Sequence, residues 1–332
     1  MSPILSGSRV FVTGATGFVG GALARELANR GVEVHALARP NADRGLLDDV
    51  DLVWHEGDIL RAQTLSTALA GIESVIHAAG PVGEPGIPEK VYWQVHVDGT
   101  RNVMAVALAA GTSPRFLHIS SPGVLGPIRD EPATEDFPYA PSNSYERAKA
   151  AAERVALEFA GRGLPVIIAR PEFIYGPCDR HVLRLFQAIQ RGRFFYIDGG
   201  RHLCHPTFIA DAVAGMLLCF DRGRSGEIYH IAGPRPVTFR ELGETIADAL
   251  DVRPPSLSLP RWLAMAGATG LETFGKIIRT KPPLGRAGVN FFSTDHKSSW
   301  QTAHNELGYT PRYDLADGVK KAAKWYREKN WL

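Results

Sequence analysis

Apolar residues along the first half of the chain fall into two alternating patterns. Arg9–Thr13, Glu33–Ala38, 52–56, 74–78, 115–120 and 165–169 are short runs rich in Val, Ile, Leu and Phe, as strands buried on both faces require. Between them, 20–29, 64–70, 99–110 and 145–161 space their apolar residues at helical intervals. Strand and helix alternating at this length predict an α/β, doubly wound parallel sheet with helices on both faces. Ligands of such sheets bind beyond the carboxyl ends of the strands, so the residues that follow each strand are the ones to search. After about Pro171 the rhythm changes. Proline and glycine thicken, and 251–283 mixes them with a short apolar stretch at 262–271. The expected division is a core of 1–172, to which 202–232 returns with a strand at 227–231. A smaller C-terminal substrate lobe takes 173–201 and 233–332.

Composition narrows the class. The 332 residues are 45% hydrophobic and 22% charged, with a net charge of +2, a balance that suits a core-forming globular protein and not a dedicated nucleic-acid binder. Three cysteines, Cys178, Cys204 and Cys219, form neither a disulfide framework nor a zinc signature. The longest charge-free run, 10–24, holds four glycines in 15 residues and is too short and broken to span a membrane. With a strand starting by about Ser8 and no cleavage-type apolar region ahead of it, a cytoplasmic protein without signal peptide is expected.

The first predicted strand runs into Thr13-Gly14-Ala15-Thr16-Gly17-Phe18-Val19-Gly20 and then a helix. A glycine turn there lets the backbone amides of the turn and of Phe18 and Val19 approach a pyrophosphate at the positive end of the helix dipole. Gly14 permits the turn, Gly17 the approach and Gly20 the helix–strand packing, which together predict dinucleotide binding of the Rossmann type. The second strand ends at Ala38-Arg39. An acidic residue here would bind the ribose 2′-hydroxyl of NAD, whereas Arg39, with Arg44 nearby, can pair with the 2′-phosphate of NADP. NADP is therefore expected and NAD is the alternative. Gly57-Asp58-Ile59 follows the third strand, and Asp58 can accept a hydrogen bond from the adenine amino group; a loop-capping aspartate is the plain alternative. His77-Ala78-Ala79-Gly80 follows the fourth, with small residues where the backbone passes beside a cofactor.

Tyr145-Glu146-Arg147-Ala148-Lys149 puts a phenol and an ammonium one helical turn apart. An ammonium beside a phenol favours the phenolate, so Tyr145 can trade a proton with a hydroxyl or carbonyl near neutral pH. Ser120-Ser121 ends the fifth predicted strand at the same rim, where a hydroxyl can hold a substrate oxygen.

The glycine turn, Gly57-Asp58-Ile59, His77-Ala78-Ala79-Gly80, the serine pair and the Tyr145–Lys149 pair, in this order, resemble an extended short-chain dehydrogenase/reductase of the NAD-dependent epimerase/dehydratase family. The likeness continues through Arg170-Pro171-Glu172-Phe173-Ile174-Tyr175-Gly176-Pro177, through His205 to Asp211, and through Leu307-Gly308-Tyr309-Thr310-Pro311, so it covers nearly the whole chain. It implies that Tyr145 is the catalytic acid/base, Lys149 its activator and ribose anchor, and Ser121 the third member, with Pro171 and Phe173 beside the nicotinamide. Sugar-nucleotide epimerases of the family carry an asparagine near Glu172 and an arginine where His205 stands; this chain has neither, and His96 replaces a family asparagine. The tail, from Lys281-Pro282-Pro283-Leu284 through Trp300 to Trp325-Tyr326, is similar to 3β-hydroxysteroid dehydrogenase-like members. The implied function is hydride exchange between a nicotinamide and a secondary alcohol or ketone of a bulky, apolar small molecule. A nucleotide-sugar 4-epimerase or dehydratase using the same site is the alternative, and a non-catalytic NADP-sensing protein stands further off. The predicted helices 99–110 and 145–161 lie where family members pair as homodimers. No metal is expected. Between Arg253 and Lys297, seven Lys/Arg oppose Glu272 and Asp295, which reads as a solvated lid or as a peripheral membrane contact.

Overall fold

The chain alternates the two sides of its strands between two apolar cores. Val10 and Val12 fall in one and Phe11 in the other; Leu117 and Phe116, Ile167 and Ile168, divide in the same way. This is the pleat's period of two applied to strands covered on both faces. A computed structural model describes residues 7–84, 86–111, 113–278 and 285–332, the side chains of 274–278 excepted. The Lys281-Pro282-Pro283-Leu284 segment of the tail lies outside the described residues.

The strands of the main sheet are β1 (Arg9–Thr13), β2 (Glu33–Ala38), β3 (Val53–Glu56), β4 (Ser74–His77), β5 (Arg115–Ile119), β6 (Val166–Pro171) and β7 (Ile228–Ile231). They form one sheet in the order β7-β6-β5-β4-β1-β2-β3, and every pairing is parallel. The chain winds from β1 out to β3, crosses back to β4 and winds the other way. This is the Rossmann-type doubly wound arrangement, and it opens a crevice between the carboxyl ends of β1 and β4. Register fixes that crevice, since Thr13 lies opposite His77.

Helix α1 (Phe18–Asn29) buries Leu23, Ala24 and Leu27 in the first core. A continuous helix, α2, comprises Glu89–Tyr92, a π-helical Trp93–Asp98 and Gly99–Ala109. It starts about ten residues ahead of the predicted 99–110. Helix α3 (Ser144–Gly161) buries Val155, Ala156 and Phe159 on the second core. Its start is fixed by Asn143, whose side chain accepts from the Glu146 amide at 3.0 Å. Further on, helix α4 (Arg261–Ile278) packs in a separate small cluster of Ile197, Ala264, Ala268 and Val289.

Candidate active site

The glycine turn is built so tightly that side chains are excluded. Gly14 has φ +76°, and a Cβ there would sit 2.7 Å from the Ala78 carbonyl and 2.8 Å from the Ala79 nitrogen. A Cβ on Gly20 would collide with the Gly14 carbonyl. Gly17 caps α1 with extended backbone and no side-chain cap. The first intrahelical bond runs from the Gly21 amide to the Gly17 carbonyl, 2.9 Å, so the amides of Phe18, Val19 and Gly20 precede it and belong to the helix's donor-rich end. Thr13 ties the crevice shut beneath them: its Oγ1 accepts from the Ala79 amide (3.3 Å) and bonds His77 Nδ1 (2.7 Å). A cradle of unbranched backbone beneath a helix N-terminus fits a dinucleotide pyrophosphate.

The other expected cofactor contacts sit around this turn. Thr16 is half-buried and Arg39 exposed just past β2. Arg44 stacks its guanidinium on Trp54, 4.8 Å from the ring centroid. Asp58 uses Oδ1 to accept from the Leu60 amide, 2.9 Å. Ile59 is buried, and its carbonyl accepts from Asn102 Nδ2 at 2.9 Å. Ala78 and Ala79 are half-buried, while Gly80, at φ +153°, lies directly against the His96 imidazole.

Ser121, just past β5, accepts from the Gly123 amide at 3.2 Å, and its hydroxyl acts to lower the pKa of the Tyr145 phenol. The Tyr145 ring is held edge-on by His96 (5.5 Å between centroids) and Tyr92 (5.8 Å). Lys149, fully within the protein, donates from Nζ to the Ile119 carbonyl at 2.5 Å. The structure corrects one expectation here. The phenol is pushed up to about 12 rather than lowered, first by burial, with the Ser121 hydroxyl acting in the opposite direction. Burial lowers Lys149 to about 8, with Glu153 opposing. With its ammonium turned to Ile119, Lys149 does not offset the desolvation of the phenol. Pro171 ends β6 in full burial, and Phe173 stands half-buried beside Phe291, 5.5 Å between centroids.

Several polar groups near this rim escape sequence reasoning. His77 and His118 stack at 5.6 Å, fully buried among apolar strand residues, and His77 Nε2 bonds Thr100 Oγ1 at 3.0 Å. Their only signal was a histidine inside each strand run. Ser298 donates to Glu172 Oε1 at 2.6 Å across 126 residues of sequence, which no local pattern announces. His205, noted as a departure from sugar-nucleotide epimerases, donates from Nε2 to the Gly233 carbonyl at 2.9 Å. It is thus engaged with backbone.

The profile of the NAD dependent epimerase/dehydratase family matches residues 10–232. The chain is 29% identical over 317 residues to a ketoreductase of Stigmatella aurantiaca that acts on 4-hydroxy-2-methyl-3-oxo-4-farnesyl-3,4-dihydroquinoline-1-oxide, with 94% of each chain covered. It is 27% identical to the human decarboxylating sterol-4-alpha-carboxylate 3-dehydrogenase, covering 95% of this chain and 88% of that one. Among solved structures it resembles a double mutant of dTDP-glucose 4,6-dehydratase from Streptomyces venezuelae with NAD bound, at TM-score 0.77 and 25% identity over 98% of each chain.

Proposed function

The chain belongs to the NAD dependent epimerase/dehydratase family, and from that premise we propose that it exchanges hydride with a secondary alcohol or ketone carried on a bulky, apolar substrate. The observation that carries this reading is the Tyr145 ring set edge-on against His96, which itself lies against Gly80 just beyond β4, at the sheet rim where the glycine turn of β1 and α1 opens. The farnesylated and sterol compounds named for two relatives support the apolar substrate class. A buried carboxyl at Glu172 counts against a nucleotide diphosphate, which it would repel.

The nicotinamide, when bound, supplies or receives the hydride at the substrate carbon. Ser121 Oγ holds the substrate oxygen. Tyr145 Oη gives its proton to that oxygen as charge develops there, or takes it back in the reverse direction. A phenol raised to about 12 is protonated at neutral pH, the proton-donating form that ketone reduction needs. Lys149, one turn further along α3, would leave the Ile119 carbonyl it bonds in this structure to bind the ribose hydroxyls and stabilise the phenolate left behind. Gly14, Thr16, Gly17, Phe18, Val19 and Gly20 cradle the pyrophosphate, Asp58 and Ile59 flank the adenine, and Pro171 and Phe173 line the nicotinamide.

Replacing Tyr145 with Phe removes the transferable proton and leaves the ring contacts. A kcat loss of roughly 10²–10⁴-fold is expected, with NADPH affinity, read by fluorescence, near that of the wild type. Undiminished turnover would remove Tyr145 from the reaction.

Exposure of Arg39 past β2 supports NADP over NAD, since a guanidinium can grip the 2′-phosphate bidentately. Arg39→Ala should weaken NADPH binding roughly tenfold or more, the scale of a lost charged hydrogen bond, while NADH binding stays unchanged. Equal losses for both cofactors would assign Arg39 no part in the choice.

A further inference from the structure

Beneath α3, polar side-chain atoms of β5 and of the residue after it lie out of reach of solvent and without partners. Both ring nitrogens of His118 and the Ser120 hydroxyl oxygen are inaccessible and unbonded among the described residues. Folded proteins leave very few such groups, and an ordered water is the ordinary partner where the protein supplies none. His118 and Ser120 alternate along the chain, so their side chains leave the same face of the sheet. Phe116, next on that face, shares a core with Val155, Ala156 and Phe159 of α3. The same helix brings Lys149 onto this strip: its Nζ bonds the carbonyl of Ile119, the residue between His118 and Ser120.

The other titratable groups around Lys149 are already committed. His77, from β4, is bonded at both nitrogens, to Thr13 and to Thr100. His96, from α2, donates to the Pro81 carbonyl. Glu153, one turn further along α3, is held by Arg170 and Tyr139. An ammonium carries three N–H donors, and the Ile119 carbonyl takes one of them. Burial first, and then the Lys149 ammonium, hold the His118 imidazole well below its ordinary 6.5, so it stays neutral and keeps a lone pair. Alternate strand residues are about 6.6 Å apart, and a water reaching about 2.8 Å to each side spans their side-chain atoms. We propose that an ordered water bridges Lys149 Nζ, the Ser120 hydroxyl and a ring nitrogen of His118, which makes His118 a positioning residue for Lys149. The water oxygen accepts from the ammonium, and its hydrogens go to the imidazole lone pair and to Ser120 Oγ. A bond to the charged form favours that form and opposes the desolvation of Lys149. Lys149 is thus kept charged beside the Ile119 carbonyl, ready to turn to the phenol. That last role rests on the reaction assigned to Tyr145 and Lys149; the water site does not.

Two measurements test this. A high-resolution crystal structure of the cofactor-free protein should show an ordered water within about 3 Å of all three groups. Titration of Lys149, followed by the NMR shift of its ε-carbon in labelled protein, should give a pKa that falls by about one unit in His118→Phe. That tenfold change is the scale of one lost charged hydrogen bond. His118→Gln, which keeps an acceptor, should return the value toward that of the wild type. Ser120→Ala removes a partner without adding bulk, should lower the value too, and carries the test if His118→Phe does not keep the wild-type thermal transition. The proposal is overturned by a site without water, by a Lys149 titration that is the same in the wild type and the folded variants, or by a fall in His118→Gln equal to that in His118→Phe. In ketone reduction, the alkaline limb of kcat/KM should move with Lys149. A limb that stays fixed while the titration moves would reject the reaction assigned to Lys149 and leave the water site in place.

Discussion

Glu172 carries a carboxyl where water barely reaches it, 4% exposed. Burial raises its pKa from 4.5 to about 7, and the Ser298 hydroxyl works the other way by donating to Oε1 at 2.6 Å. The folded protein therefore holds this proton more tightly than the unfolded chain does. The sign follows: below pH 4.5 both states are protonated and no penalty arises, and the destabilisation grows as pH rises to 7 and stays above it. At 1.36 kcal/mol per unit, the full effect is at most about 3 kcal/mol. Glu172→Gln keeps the shape and an acceptor for Ser298 without the charge. Urea unfolding should show the variant gaining on the wild type by about 1–3 kcal/mol between pH 4.5 and pH 8. A difference that is flat across that range would mean that Glu172 ionises as an ordinary carboxylate.

At the scale of elements, local pattern was legible where period and burial agree. The strand runs were visible because a strand covered on both faces is apolar at every position. The glycine turn was visible because backbone crowding at Gly14 and Gly20 leaves no residue but glycine. What stayed hidden depends on long-range packing. The segment 84–98, broken by Pro85 and Pro88, does not read as helix, yet Pro88 serves as the N-cap residue of α2. The π-helical turn that follows sets His96 against both Gly80 and Tyr145. Lys149 could be placed on the same helix face as Tyr145, but its bond to the Ile119 carbonyl depends on how α3 packs on the sheet. Arg170 follows the predicted strand 165–169 and carries no signal of its own beyond the family likeness. It is paired inside the protein with Glu153 at 2.7 Å, with both side chains almost inaccessible. Tyr139 donates to Glu153, and Arg170 to the Glu135 carbonyl. A desolvated pair of this kind needs its extra donors and acceptors, and Glu135 and Tyr139 supply them from a loop separate in sequence from both partners.

For the molecule as a whole, buried histidines set the acid limit. His77, His96 and His230 are held down to about 3, and His205 and His296 to about 4, in each case chiefly by burial. His118 lies well below its ordinary 6.5, with Lys149 and the neighbouring histidines adding to burial. These six fold neutral, whereas in the unfolded chain each takes a proton near 6.5. Their favourable linkage is complete above 6.5 and is lost as pH falls toward 3. Two carboxyls act in the opposite sense, because Glu172 and Asp179 are raised to about 7 and about 6 by burial. Six protons favouring the unfolded state against two favouring the folded leave about four, or about 5 kcal/mol per pH unit once all are engaged. A domain worth about 5–15 kcal/mol cannot withstand that slope for more than one to three units below 6.5. Circular dichroism should therefore record a single cooperative acid transition near pH 5, with potentiometric uptake of about four protons more than the folded state binds. A chain still folded at pH 3 would show that these imidazoles gain solvent or partners on protonation.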